Sequence, residues 1–139
     1  MSPTPSFAAL PKPPAAMPKN KPAKFLLIGG PCVLESRGTS LLIGRTLRDL
    51  CRDLGWDYVF KASYDKANRS SISSPRGPGF RKGLQELVFL RRALGVPVCT
   101  DVHSPEEAKA AGRKVDILQI PAFLCRQTDL LLAAARTGR

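Results

Sequence analysis

The sequence predicts an α/β fold, a parallel sheet covered by helices. Apolar runs of strand length alternate with stretches of 3.6-residue periodicity, and the alternation repeats four times over residues 25–139. A glycine also stands just past three of the four helical stretches (Gly55, Gly95, Gly138). Right-handed crossovers between such units pair their strands in parallel and lay the helices on the sheet.

Phe25 to Ile28 is a short apolar run stopped by Gly29, Gly30 and Pro31, the pattern of a buried strand ending in a tight turn. Ile43, Leu47, Leu50, Cys51 and Leu54 follow as one helical face, with Gly55 suited to its C-terminal stop. Tyr58 to Ala62, β-branched and aromatic, is the second strand. Phe80, Leu84, Leu87, Val88 and Leu94 give the next helical face, closed by Gly95, and Val96 to Thr100 resumes as a strand. Ser104, Pro105 and Glu107 form a helix-start signature: a side-chain acceptor, a residue needing no N–H, and a carboxylate three after the cap. Val115 to Ile120 is the fourth strand, and Thr128 to Arg136 the fourth helix.

Four units over residues 25–139 average about 29 residues each, close to the ~30 per unit of an eight-unit barrel, so four make half of one. A small doubly wound sheet also closes at this length, and counting leaves the two open. Either architecture places its chemistry at the C-terminal ends of the strands. Cys32, Lys61, Asp101 with His103, and Gln119 all lie at or just past such ends.

Composition excludes several classes. A chain of 139 residues, 43% hydrophobic and 24% charged, is one globular domain rather than a collagen-like, fully disordered or disulfide-scaffold protein. No apolar run reaches the ~18 to 20 residues of a membrane span. The apolar cluster Phe7 to Leu10 is too short for a secretory core, so a cytoplasmic location is expected. Cys32, Cys51, Cys99 and Cys125 lie too far apart for the paired ligands of a structural zinc site, and are expected as reduced thiols, with Cys51 and Cys99 buried.

The net charge is +11. Residues 1–24 hold seven of the 13 prolines, four lysines and no acid, a composition expected of a disordered Pro/Lys-rich leader. Seven excess positive charges remain on residues 25–139, so polyanionic partners are implied for the folded part. The excess is local: residues 61–82 carry Lys61, Lys66, Arg69, Arg76, Arg81 and Lys82 against Asp65 alone.

Within that segment Lys61, Lys66, Asn68, Arg69, Ser70 and Ser71 offer ammonium groups, a guanidinium fork, an amide and hydroxyls, a donor set suited to two anionic groups held at fixed separation. The following Ser73 to Gly79 carries glycines that would let backbone N–H groups approach a ligand, although a plain surface turn explains them as well. Asp101 and His103 flank Val102, so both side chains point to one side and can orient one another or a ligand, although a lone histidine after a strand is more often a hydrogen-bonded structural group. His103 is the only histidine, which rules out a multi-histidine metal site. Gln119 to Gln127 leaves the fourth strand toward a helix N-terminus, where free N–H groups and Arg126 would favour an anion, but spacing alone is better explained by helix capping and packing of Phe123 and Cys125.

These blocks together resemble the 3-deoxy-D-manno-octulosonate 8-phosphate synthase family. The likeness rests on Phe-Leu-Leu-Ile-Gly-Gly-Pro-Cys-Val-Leu-Glu-Ser (25–36), the Lys66, Asn68, Arg69 loop, Thr-Asp-Val-His (100–103), and Leu-Gln-Ile-Pro-Ala-Phe-Leu-Cys-Arg-Gln-Thr-Asp (118–129). The resemblance implies a (β/α)8 TIM barrel of which residues 25–139 are the first four strand-helix units, an apparently truncated half. It implies condensation of phosphoenolpyruvate with D-arabinose 5-phosphate and water to 3-deoxy-D-manno-octulosonate 8-phosphate and phosphate, for lipopolysaccharide synthesis. The 139-residue chain is expected to be unstable or inactive by itself, because a half barrel leaves an unpaired edge and exposed apolar helix surface.

By the same resemblance Lys61 and Lys66 are catalytic and face phosphoenolpyruvate, with Gln119, Pro121 and Ala122 lining that site. Asn68, Arg69 and Ser70 hold the pentose phosphate, and Phe123 and Arg126 complete a neighbouring subunit's site, which implies a homo-oligomer. Cys32 is implied as a ligand of the metal-dependent class, binding a divalent cation whose other ligands come from later strands. Asp101 is expected to be structural or to support, from behind, the residues that touch substrate. Two departures from the family pattern are Gly29, where alanine is frequent, and Pro75, where an aromatic is usual.

Two other readings compete. A related synthase takes erythrose 4-phosphate in place of the pentose, and sugar length separates the two. A small basic nucleic-acid-binding module fits the pI of about 10.1, but the basic segment lacks the interleaved aromatic platform such modules use. No nucleic acid and no membrane are therefore expected as partners.

Overall fold

A computed structural model describes residues 24–67, 71 and 73–139. The expected leader, apart from Lys24, lies outside the described residues. The chain runs β1 (Leu26–Gly29), α1 (Arg37–Leu54), β2 (Asp57–Lys61), α2 (Phe80–Leu94), β3 (Val98–Asp101), α3 (Pro105–Ala111), β4 (Ile117–Gln119), a 3-10 turn (Ala122–Leu124) and α4 (Thr128–Ala135). The alternation is the expected one, with strand bounds shifted by a residue or two.

All pairings are parallel, and the spatial order is β1-β2-β3-β4. This order decides between the two architectures. A doubly wound sheet reverses strand order at a switch point. Here every strand pairs with the next in sequence, and right-handed crossovers then put all the helices on one face, as in consecutive units of a TIM barrel.

Local chemistry sets the element ends. The Ser36 side chain accepts from Thr39 N to start α1, and Gly55 stops that helix in the left-handed conformation at φ 69°. Gly95 does the same for α2 at φ 67°. Ser104 caps α3 by accepting from Glu107 N, with Pro105 in the first turn.

The helix-facing side of the sheet carries Tyr58, Phe60, Ala62, Val98 and Val102, buried with Cys51, Leu87, Leu90, Leu94 and Val115. Side chains alternate across a strand, so Val59, Lys61, Cys99 and Asp101 project from the opposite face. On that face Leu26 and Ile28 of β1 are 55% and 46% exposed. In a closed barrel this is the interior.

The helical faces differ from their sequence reading. In α1 the buried residues are Ser40, Gly44 and Cys51, whereas Leu50 and Leu54 are half exposed. The cause is Gly44: a Cβ there would lie 2.5 Å from Leu94 Cδ1, so α1 approaches the core on its smallest residue, with Leu41 and Leu47 packed beside it and Leu50 and Leu54 turned to the margin. In α2, Leu90 is fully buried and joins the expected Leu87 and Leu94.

Candidate functional site

The polar residues of the sheet's open face gather at the C-terminal ends of β2, β3 and β4. Lys61 is the last residue of β2, and the chain continues straight for two more residues because Val33 and Ser63 form a parallel bridge. Ser63 N donates to Cys32 O at 3.3 Å and Leu34 N to Ser63 O at 2.9 Å, which seats the segment after β1 beside the end of β2. Gly30 permits that approach, since a Cβ there would fall 2.2 Å from Lys61 O.

Two cations converge on Ser63. Lys61 Nζ donates to Ser63 Oγ at 3.3 Å and Lys66 Nζ to the same oxygen at 2.8 Å. Because both lysines donate to it, the Ser63 proton is free to point at the Asp101 carboxylate. Asp101 is buried, its Oδ1 has no hydrogen-bond partner among the described residues, and Lys61 Nζ stands 3.9 Å from that oxygen. Asp101 Oδ2 meets His103 Nε2 at 3.0 Å. Burial raises the Asp101 pKa, but the Ser63 hydroxyl, His103 and the Lys61 ammonium more than reverse this, so it titrates below the ordinary carboxylate value. The Cys99 thiol on the same face is pushed up to about 11, chiefly by burial.

A cavity of about 210 Å³ opens beside this cluster, lined by Asp65, Lys66, Ala67, Asp101, His103, Gln119, Pro121, Ala122 and Phe123. The structure thus brings Lys66, Gln119, Pro121, Ala122 and Phe123 around one hollow and joins Lys61 to it through Ser63 and Asp101. Pro121 is buried, whereas Phe123 is 55% exposed. Arg126 is exposed beyond the 3-10 turn and does not line this hollow. Asn68, Arg69 and Ser70 lie outside the described residues.

Asp101 stands between Lys61 and His103 at the centre of the cluster, in contact with both. Ser63 carries no motif of its own in the sequence, although its period-two relation to Lys61 places both on one face. In the sequence Glu107 shows only as the third residue of a helix-start signature. It also accepts from the Tyr64 hydroxyl at 2.6 Å and from His103 N at 2.9 Å.

The glycines of Ser73 to Gly79 pack that loop closely against Tyr64. Gly79 N donates to Tyr64 O at 3.0 Å, and a Cβ on Gly77 would lie 2.6 Å from that same oxygen. Lys66 N donates to Arg76 O at 2.8 Å, and the Arg76 guanidinium grips Asp65 through two bonds of 2.8 and 2.6 Å. The loop therefore folds back on residues 64–66 and braces Lys66. A separate hollow of about 660 Å³ between this loop and residues 33–35 contains neither Lys61 nor Lys66.

Cys32 is exposed, as is Cys125, while Cys51 and Cys99 are buried. Among the described residues no three His, Cys, Asp or Glu side chains stand together as a metal site. One thiol is a fraction of the donor set a divalent first-row cation needs, so the described residues do not by themselves fit a metal. No described helix is long and apolar enough to cross a membrane.

A family model described as the DAHP synthetase I family matches residues 15–139. Among curated proteins, the 2-dehydro-3-deoxyphosphooctonate aldolase of Koribacter versatilis is 55% identical over 116 residues, covering 84% of this chain and 42% of that protein. The protein of the same name from Desulfotalea psychrophila is 56% identical over 115 residues, covering 83% and 41%. That from Fusobacterium nucleatum is 53% identical over 116 residues, covering 84% and 42%. The chain thus spans about two fifths of the length of these relatives.

Proposed function

Because this chain belongs to the DAHP synthetase I family, we propose that its rim is part of a site condensing phosphoenolpyruvate with D-arabinose 5-phosphate and water. The products are 3-deoxy-D-manno-octulosonate 8-phosphate and phosphate. The observation that carries this reading is the convergence of Lys61 and Lys66 on one hydroxyl beside the hollow holding Gln119, Pro121 and Ala122.

A phosphate ester carries roughly 1.5 to 2 negative charges at neutral pH, and two such substrates repel one another until cations stand between them. Lys61 and Lys66 supply that charge for phosphoenolpyruvate, and Gln119 offers an amide to the same ligand. Alignment is the main task, since the enol carbon has to face the sugar aldehyde for the new carbon-carbon bond to form. Asn68, Arg69 and Ser70 would take the pentose phosphate. Phe123 and Arg126, both exposed, would complete the site of a neighbouring copy in a homo-oligomer. Cys32 would be one donor to a divalent cation when further ligands join it.

The relatives' names favour the pentose over erythrose 4-phosphate. An octonate has eight carbons, of which phosphoenolpyruvate brings three, leaving five for the sugar. Calorimetric titration of both sugar phosphates into the chain saturated with phosphoenolpyruvate tests this. Tighter binding of arabinose 5-phosphate is expected; tighter binding of the four-carbon sugar, or of neither, contradicts it.

A further inference from the structure

We propose that Glu107 is a positioning residue of the rim: one carboxylate oxygen, held by the Tyr64 hydroxyl, takes the His103 main-chain N–H and so keeps the His103 ring against Asp101. The contacts pass through a single atom. Tyr64 Oη donates to Glu107 Oε2 at 2.6 Å, and His103 N donates to the same oxygen at 2.9 Å. His103 Nδ1 stands 3.9 Å from that oxygen, while its Nε2 lies 3.0 Å from Asp101 Oδ2. Asp101 Oδ1 in turn faces Lys61 Nζ at 3.9 Å. A phenol after β2 and an acid in the first turn of α3 thereby set an imidazole at the end of β3.

Helix capping alone does not account for this arrangement. In a capping box the third-position carboxylate turns back to the N–H of the cap residue, here Ser104. Glu107 instead reaches one residue further, to His103. It is also gripped by a tyrosine that is 1% exposed, packed edge-on to Phe80 and tilted against the His103 ring with centroids 5.5 Å apart. Gly83 of α2 makes room for that tyrosine, since a Cβ there would lie 2.2 Å from Tyr64 Cβ. Burial, with the Glu107 acceptor adding to it, pushes the Tyr64 pKa far up, so the hydroxyl keeps its proton and remains a donor. A solvated cap needs none of these supports.

The consequence is one ring orientation at the wall of the cavity that also holds Asp65, Lys66 and Gln119. The proposal rests on the functional reading above only for what this cavity takes, because its test reads the ring rather than turnover.

His103 is the sole histidine, so its ring N–H resonance is unambiguous by NMR. In the wild-type chain the Nε2–H is expected as a slowly exchanging downfield signal. Glu107→Ala is expected to lose it, and Glu107→Gln, whose amide oxygen accepts both hydrogen bonds, to keep it. Absence of the signal in the wild type, its persistence in Glu107→Ala, or its loss in Glu107→Gln overturns the proposal. Should the alanine variant not fold, Tyr64→Phe decides: exchange about tenfold faster supports the proposal, and unchanged exchange overturns it. Titrating phosphoenolpyruvate into the same samples separates the two ideas. A ring that behaves as expected without phosphoenolpyruvate binding sinks the functional reading and leaves the positioning role standing.

Discussion

Lys61 and Lys66 donate to one oxygen, Ser63 Oγ, at 3.3 and 2.8 Å. Like charges are brought together at a hydroxyl with no solvent exposure, an arrangement that costs energy unless negative charge stands nearby. Among the described residues that charge comes from Asp101, since the neighbouring Asp65 is held on both oxygens by Arg76. Two ammonium groups against one buried carboxylate leave the rim positive, ready for an anion.

Asp101 makes stability depend on pH in a definite direction. Its native pKa lies below the ordinary 3.8. A carboxyl of this kind binds fewer protons folded than unfolded, so it contributes stability above the unfolded pKa and loses it as pH falls through the native pKa. The stability measured by urea unfolding is expected to fall as pH drops below about 4, and Asp101→Asn to flatten that part of the curve. At neutral pH the same substitution is expected to cost about 1 to 3 kcal/mol. Parallel pH curves for the two proteins would contradict this assignment.

Gly83→Ala tests the seat of Tyr64. Alanine is the better helix former by about 1 kcal/mol, but the new Cβ would fall 2.2 Å from Tyr64 Cβ, an atom tied to the backbone and unable to swing away. The clash outweighs the propensity, and a net loss of about 1 to 3 kcal/mol is expected in chemical denaturation. A stabilised variant would show that the helix and the tyrosine are further apart than described here.

The cysteines divide by burial. Cys32 and Cys125 are exposed, and Cys51 and Cys99 are buried, with the Cys99 thiol pushed up to about 11. A thiolate-selective reagent at neutral pH is expected to label two of the four quickly in the native chain and all four in denaturant. Rapid native labelling of Cys99 would place the open face of β3 in solvent.

Much of this was legible in the sequence because local rules decide it. Gly55 and Gly95 end helices through a backbone region that favours glycine, and Ser104 caps α3 through the residues beside it. The shared face of Lys61 and Ser63, and of Asp101 and His103, follows from strand alternation. Other features depend on partners distant in the chain. Tyr64 and Glu107 meet across 43 residues, so nothing near Glu107 distinguishes it from an ordinary cap. Gly44 turns the face of α1 because Leu94 and Phe60 press against it, and hydropathy periodicity does not weigh a glycine. The Asp65 and Arg76 pair belongs to a loop without periodicity, where a cation count sees charge but not its partner.

Calorimetric titration of phosphoenolpyruvate into the wild-type chain and into Lys61→Ala and Lys66→Ala tests the central claim most directly. The account expects saturable binding by the wild type and a loss of about tenfold or more in affinity for each variant, as for removing one charged hydrogen bond. Equal affinity in all three proteins would contradict it.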